Sequence, residues 1–187
     1  MRIKSLYIFF VIFFLLGIRA DRGQVPKDLD SELKSQKDKV DARIENLKSQ
    51  AEEFYKAFDA QDFNKFADMH HPVIYKDGGT RKEFLVMLKQ TYDKNRQSFE
   101  SSITSLGKPS ELIELDKQLF GVIPKKLELV SFSKRKYITE NSLVGISSDN
   151  GKTWKFVDGS EFDNVFPMYA GKLQIPKKKR FTDGKEY

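Results

Sequence analysis

Apolar side chains recur at intervals of three and four residues through a long segment that begins near residue 29. These positions are Leu29, Leu33, Val40, Ile44, Leu47, Ala51, Phe54, Tyr55 and Phe58. Because an α-helix repeats every 3.6 residues, the spacing predicts one long amphipathic helix with a single apolar face. Its first half, 29–46, is so highly charged that it could project from the body, and the aromatic residues near its end supply the bulk that docks.

Two more helices and a short strand are predicted to follow the long helix. The segment Asp59 to Asp62 breaks that helix, and Phe63 to Met69 forms a second, shorter one. Pro72 disfavours helical geometry in the residue before it, so Val73 to Tyr75 is predicted as a strand. The segment Thr80 to Glu83 reads Thr-Arg-Lys-Glu. This is a capping box, which predicts the start of a third helix.

The second half of the chain changes to residue types that favour strands. Four stretches rich in β-branched, aromatic and leucine residues are separated by turn residues. They are 99–106, 118–130, 136–146 and 153–157. Strands that follow helices predict an α+β architecture, with three N-terminal helices packed on a curved, mostly antiparallel sheet of four to five strands. We expect one domain over residues 29–166.

A tight turn is predicted between the last two of these strands. The Asp149 side chain can accept hydrogen bonds from nearby backbone amides, and Asn150 and Gly151 tolerate left-handed backbone angles. Trp154 follows at the distance that lets its ring pack on the hairpin. The segment is therefore interpreted as a structural turn.

The chain opens with the pattern of an export signal over residues 1–20. Arg2 and Lys4 precede an apolar run of 13 residues from Leu6 to Ile18. At about 1.5 Å per residue this run spans about 20 Å, short of the roughly 30 Å of a bilayer core. A cleaved signal followed by a polar tether at 21–28 is therefore favoured, and an uncleaved membrane anchor is the alternative. Either way we expect the domain outside the cytoplasm, periplasmic or secreted.

Composition narrows the chemistry that the domain could use. The chain has no cysteine, which excludes thiol catalysis, thiolate metal sites and lipid attachment as a lipoprotein. Of its 33 Lys and Arg residues, three lie in the signal and six after residue 170, which leaves 24 against 25 acidic residues between 21 and 170. The folded part is thus nearly neutral, and we expect no nucleic-acid partner. The basic tail at 167–187 could touch an anionic membrane surface.

The order of these pieces over residues 47–158 resembles the nuclear transport factor 2-like superfamily, also called SnoaL-like, in its exported bacterial members. The pieces are a helix ending at 51–58, the break at 59–63, the segment 71–75 before a Gly-Gly pair, the stretches 121–124 and 143–147, and the hairpin 149–158. The resemblance implies a cone-shaped α+β barrel in which three helices face a bent sheet. It also implies a pocket at the open end of the cone, no cofactor, and a homodimer formed through the sheet.

That resemblance implies no single reaction, because relatives include ketosteroid isomerase, scytalone dehydratase, epoxide hydrolase, polyketide cyclases and binding proteins without catalysis. Chemistry of the ketosteroid isomerase type needs a carboxylate base and an oxyanion hole that contains a tyrosine. Tyr55 could be that tyrosine, and Asp158 or Asp116 could supply carboxylates. His70 and His71 could act as acid or base. The alternative interpretations are a core aromatic residue at position 55 and a histidine pair that merely ends a helix.

No metal site is expected, because adjacent histidines on an extended segment point to opposite faces and no third ligand is organised near them. Candidate ligand-binding residues are the aromatic side chains that could line the cone. They are Phe58, Tyr75, Phe120, Tyr137 and Trp154. The same side chains could instead fill a solid core, and the sequence leaves both possibilities open.

Three functions are compatible with these observations. The sequence favours an extracytoplasmic domain that binds a small apolar ligand or a protein partner without catalysis, because none of the candidate residues matches a catalytic motif of the family. The second function is that of a cofactor-free isomerase, dehydratase or hydrolase. The third is a structural or interaction protein that uses the charged first helix.

Overall fold

A computed structural model of the chain describes residues 27–75 and 79–186. The predicted signal peptide at 1–20 and most of the predicted tether lie outside the described residues. A compact unit begins at Lys37, and every contact discussed below lies within it. In the described part of the chain, no helix combines the length and the apolar character needed to cross a membrane.

Four α-helices occur in the described residues. They are α1 (Lys27–Asp59), α2 (Phe63–Met69), α3 (Arg81–Ser98) and α4 (Phe162–Val165). The predicted long helix, its break and the second helix are confirmed. The capping box is confirmed too: the Glu83 N–H donates to the Thr80 hydroxyl, and the Thr80 N–H donates to the Glu83 carboxylate at 2.6 Å.

The predicted strand at Val73 to Tyr75 is wrong, because Pro72–Tyr75 forms a 3₁₀ turn. Proline suits the first position of a helical turn, where its missing N–H would have no partner anyway. The Ile74 N–H then donates to the His71 carbonyl at 3.2 Å. Next to this turn, His70 forms an isolated β-bridge with Phe156.

The sheet has seven strands, and each pair of neighbours runs antiparallel. They are β1 (Phe99–Leu106), β2 (Ile113–Leu115), β3 (Gln118–Ser131), β4 (Lys136–Ser147), β5 (Lys155–Asp158), β6 (Lys179–Thr182) and β7 (Lys185–Glu186). The order is β1-β3-β4-β6-β7, with β2 on β3 and β5 on β4. The α+β class is confirmed, and the four strands read from the sequence correspond to β1, β3, β4 and β5. The sheet is larger than the four to five strands expected.

The additional strands come partly from the segment that its charge predicts to be a basic tail. Strand β6 pairs with β4, and β6 and β7 form a hairpin. Tyr169 and Leu173, in the same segment, are buried. Apolar residues at intervals among the lysines are what attach this segment, so the folded unit continues well past residue 166.

Two separate cores lie on opposite faces of the sheet. The helix-side core contains Leu47, Ala51, Phe54, Ala57, Phe66, Leu88, Leu119, Ile123, Leu143, Trp154 and Phe156. The outer core contains Phe120, Val122, Val144, Ile146, Val157, Phe162, Phe166, Tyr169 and Leu173. Side chains alternate between faces along a strand, so successive residues of β3 serve different cores. Residues 162–175 therefore cover part of the face that looks away from α1.

The turn between β4 and β5 has the predicted structure. The Asp149 carboxylate accepts hydrogen bonds from the N–H groups of Lys152 and Thr153 at 3.1 and 2.9 Å, and Asn150 has a φ of 60°. The turn is fixed to α1, because the Trp154 N–H donates to the Gln50 side chain at 2.9 Å. This attachment sets the position of β5 relative to α1.

Candidate functional site

A pocket of about 230 Å³ lies between the first three helices and the helix side of the sheet. Its apolar lining consists of Phe54, Phe58, Phe66, Leu127, Leu129 and Leu143, and its polar lining of Tyr55, Asp59, His70, Asn95, Ser102, Thr104, Lys125 and Asp158. Three of the catalytic candidates, Tyr55, His70 and Asp158, thus meet in one pocket. Phe58 is the ligand-binding candidate that lies there with them.

Asp158, at the end of β5, is the centre of a hydrogen-bond network. Its Oδ2 is 3.0 Å from the Lys125 Nζ, and its Oδ1 accepts from the Asn141 side chain at 2.6 Å. The Ser160 N–H and hydroxyl donate to the same Oδ1 at 2.9 and 2.6 Å. Sheet register builds this network, since Lys125 pairs with Asn141 and Leu143 pairs with Asp158.

The network keeps Asp158 ionised. Burial raises the pKa of this carboxyl, but the Lys125 charge and the hydrogen bonds from Ser160 and Asn141 outweigh burial and lower the pKa to about 2. A carboxylate with such a pKa and with both oxygens engaged is a poor proton acceptor. Asp158 therefore acts as the group that positions Lys125.

Lys125 and Tyr55 form the donor pair of the pocket. Burial alone would lower the pKa of Lys125, but interactions with Tyr55 and Asp158 outweigh it, so the pKa is raised and the ammonium stays charged. Burial raises the pKa of Tyr55, and the nearby Lys125 offsets only part of that effect. The Lys125 Nζ lies 5.8 Å from the centre of the Tyr55 ring. At neutral pH the pair is therefore an ammonium beside a neutral phenol.

His70 supplies an uncharged imidazole to the same pocket. Its Nδ1 lies 2.9 Å from the Phe66 carbonyl oxygen. Because a carbonyl only accepts, Nδ1 carries the proton, and Nε2 of the neutral ring is left as the acceptor. Burial, partly offset by this hydrogen bond, lowers the pKa of His70 to about 4. The ring packs within 4.7 Å of the Phe54 and Phe66 rings.

The end of α2 explains how the two histidines separate. His70 is the C-cap residue of α2 with extended backbone angles, and the His71 N–H donates to the Phe156 carbonyl on β5 at 2.9 Å. The His71 ring lies 5.1 Å from the Phe166 ring and accepts a hydrogen bond from the Val73 N–H. His71 therefore points toward the outer core, as the expectation of opposite faces requires.

The remaining candidates lie away from the pocket. Tyr75 donates from its hydroxyl to the Ala67 carbonyl at 2.6 Å, and Tyr137 packs its ring on Phe99. Trp154 is buried in the helix-side core and Phe120 in the outer core. Asp116 lies in the β2–β3 turn with a φ of 48°. None of these five side chains lines the pocket.

Sequence reasoning missed Lys125, Asn141 and Ser160. A signal for Lys125 was present in the alternation of β3, because Ile123 and Leu127 on either side face the helix-side core or the pocket. A residue two positions from each must share their face. The alternation along β3 therefore predicts that Lys125 points to the helix side of the sheet.

Among the side chains that the structure describes, no group of three or more His, Asp or Glu is placed to hold a metal ion. No protein-family model matches the chain, and no curated protein matches it. What the pocket can bind or catalyse is therefore inferred from its own residues alone.

Proposed function

We propose that this protein binds a small, largely apolar molecule in the pocket beneath α1, as an extracytoplasmic domain of the nuclear transport factor 2-like type. One observation carries the proposal: a pocket with phenylalanine and leucine walls gathers a few convergent polar groups, namely Tyr55, His70 and Lys125. Its volume of about 230 Å³ is below the range of drug-sized ligand sites, so the ligand is small. Helices that precede the sheet, with a pocket between the two, support the cone architecture.

The test uses N-phenyl-1-naphthylamine, an uncharged apolar dye whose fluorescence rises when it leaves water. We expect the purified protein to enhance its fluorescence. Replacing Thr104 on β1 by tryptophan (T104W) should weaken dye binding at least about tenfold, or 1.4 kcal/mol, because the indole fills the pocket.

The matched control is Ser105→Trp. Ser105 is the next residue of β1, pairs with Lys126 and lies outside the pocket, so the dye should bind this variant as it binds the natural protein. Circular dichroism of both variants checks that they fold. Failure of the natural protein to bind the dye, together with a native mass spectrum that shows no retained small molecule, would reject the proposed function.

A second function, cofactor-free acid–base catalysis, is favoured by one observation. The neutral imidazole of His70, with Nε2 as its acceptor, lines the same pocket as the two donors Lys125 and Tyr55. A base and an oxyanion site of this kind suit enolisation: the C–H proton next to a ketone passes to Nε2, the C–H electron pair forms a C=C bond, and the C=O π pair moves to the oxygen, where Lys125 and Tyr55 stabilise it. Return of the proton to another carbon would complete an isomerisation.

Hydrogen exchange tests this second function directly. With 4-phenyl-3-buten-2-one in D₂O, proton NMR should show deuterium entering the methyl group faster than in buffer alone. His70→Asn should abolish the gain, since a positioned base contributes about 10²–10⁴ in rate. His71→Asn, on the outer side, should keep it. Equal exchange rates with the natural protein and with His70→Asn would reject this chemistry and leave binding alone.

A further inference from the structure

We propose that the pocket selects molecules whose polar end is uncharged and offers both an acceptor oxygen and a donor hydrogen, as a primary amide or an undissociated carboxylic acid does. The acceptor oxygen is bound by Lys125 and Tyr55, and the donor hydrogen by Nε2 of His70. This inference rests on the proposed function, because it names the kind of ligand that the same pocket takes.

The donor side follows from counting protons on Lys125. An ammonium group has three N–H bonds to donate. One is directed to Asp158 at 3.0 Å, and the Tyr55 ring lies beside the ammonium with its centre 5.8 Å from Nζ. No other side chain or carbonyl in the described ranges accepts from it, so the remaining N–H bonds are available to an oxygen in the pocket. Tyr55 also lines the pocket, and because burial raises its pKa, its neutral hydroxyl keeps a proton to donate to the same oxygen.

The acceptor side follows from the tautomer of His70. The Phe66 carbonyl fixes the proton on Nδ1, and in the described part of the chain no residue donates to Nε2. The ring is packed among Phe54, Phe66 and Phe84, which leaves it little freedom to turn. Nε2 is therefore available to accept a hydrogen from the ligand, and a plain ketone or ester does not supply one.

Charge decides between an uncharged ligand and an anion. Lys125 is already neutralised by Asp158 at 3.0 Å, so a second carboxylate would leave an excess negative charge among phenylalanine and leucine side chains. Asp158 cannot be displaced easily, because Asn141 and Ser160 also hold it.

The other titratable group facing the pocket also opposes an anion. The lining contributes Tyr55 and Asp59 from α1, His70 from the end of α2, Lys125 from β3 and Asp158 from β5, whereas α3 contributes only the uncharged Asn95. Burial raises the pKa of Asp59. A ligand carboxylate would add to the negative charge that Asp59 carries once it ionises.

A proton-linked affinity follows for acids. A carboxylic acid that binds in its uncharged form must take up a proton at neutral pH, whether the proton stays on the ligand or moves to Nε2. Its apparent dissociation constant should therefore rise about tenfold for each pH unit above the pKa of the acid. An amide of the same skeleton carries its own hydrogen, so its affinity should not change with pH.

The experiment is displacement of N-phenyl-1-naphthylamine between pH 5.5 and 8 by three compounds with one skeleton: cinnamic acid, cinnamamide and 4-phenyl-3-buten-2-one. We expect the acid to weaken about tenfold per pH unit and the amide to bind equally across the range. The ketone, which lacks the donor hydrogen, should bind about tenfold more weakly than the amide.

Variants assign these effects to residues. His70→Asn should bring the amide and the ketone to similar affinity, because the shorter side chain does not present the Nε2 acceptor. Lys125→Met should weaken both about tenfold or more. Its matched control, Lys126→Met, alters the next residue of β3, which points away from the pocket, and should change neither. Should Lys125→Met fail to fold, Tyr55→Phe removes one donor with a smaller disturbance.

The outcomes separate this inference from the proposed function. Acid affinity that does not change with pH would mean that the anion pairs with Lys125 and would overturn the inference, as would equal affinity for the amide and the ketone. Both results require the dye to bind, and so both leave the proposed function intact. Absence of dye binding to the natural protein counts against the proposed function itself.

Discussion

Replacing Leu47 by alanine should lower the free energy of unfolding by about 3–5 kcal/mol. Leu47 is fully buried, with 0 % of its surface exposed, and its methyl groups lie over the backbone of β3 and β4. The two residues beneath it, Gly121 and Gly145, pair directly with each other across those strands. A Cβ atom at either glycine would overlap the Leu47 side chain. Truncation at position 47 therefore leaves a cavity that no neighbour fills.

The glycines make this prediction sharper. Gly145→Ala alone should destabilise by about 1–3 kcal/mol, because its methyl group collides with Leu47. In the double variant Leu47→Ala/Gly145→Ala that methyl group enters the space that leucine has left. The combined loss should therefore fall short of the sum of the two single losses by about 1 kcal/mol or more.

Urea unfolding at neutral pH measures all three variants. Glu52→Ala, an exposed position on the same helix, is the control and should change stability by no more than about 0.5 kcal/mol. Strict additivity of Leu47→Ala and Gly145→Ala would show that the helix does not rest on the paired glycines. The outcome also concerns the pocket, because Tyr55 follows Leu47 by about two turns of α1.

Local signals explain why much of the fold was readable from the sequence. The Thr80–Glu83 capping box and the turn at Asp149 depend on residues a few positions apart, and both form as predicted. The spacing of apolar residues in α1 likewise needs no distant partner. The strand predicted after Pro72 is wrong because proline can follow the end of one helix and also begin a 3₁₀ turn. Whether the residues after it form a strand or a turn depends on whether a neighbouring strand is available for pairing.

Long-range packing explains what remained hidden. Lys125 lies in the sequence Pro-Lys-Lys, which by composition is typical of a solvated basic cluster, yet strand register turns one lysine inward and its neighbour outward. Phe120 and Trp154 are aromatic residues like Phe58, but only the arrangement of the elements separates the cavity wall from the two cores. The sequence likewise does not predict that residues 162–175 cover the outer core, because that packing joins segments that lie far apart in the chain. That cover removes part of the sheet from any homodimer contact of the kind the resemblance implies.

Replacing Asp158 by asparagine should destabilise the protein more than replacing Lys125 by methionine. Only 15 % of the Lys125 side chain is exposed, against 37 % for Asp158, so Asp158→Asn leaves the better buried charge without a counter-charge. We expect a loss on the order of 2–3 kcal/mol, below the 3–5 kcal/mol of fully buried pairs because Asp158 is partly solvated. Lys125→Met should cost about 1–2 kcal/mol, since hydrogen bonds from Asn141 and Ser160 still hold the carboxylate.

Urea unfolding of both variants at neutral pH tests the order. The control is Lys134→Met, because the Lys134–Glu100 ion pair lies on the surface and its loss should cost no more than about 1 kcal/mol. If Lys125→Met destabilised the protein more than Asp158→Asn, the Asp158 carboxylate would be the charge that needs its partner more. Lys125 would then position Asp158 rather than the reverse.

Acid titration of stability provides an independent measure of the same pair. The pKa of Asp158 is lowered from 3.8 to about 2, so its stabilisation is fully present above pH 3.8 and is lost as the pH falls toward 2. In Lys125→Met this pKa should move back toward its ordinary value, which removes part of the loss. Between pH 5 and 2 the natural protein should therefore lose about 1–2 kcal/mol more than the variant, after allowance for the solvent exposure of Asp158. Parallel curves would mean that Lys125 does not hold the carboxylate, and the donor pair of the pocket would then lack its anchor.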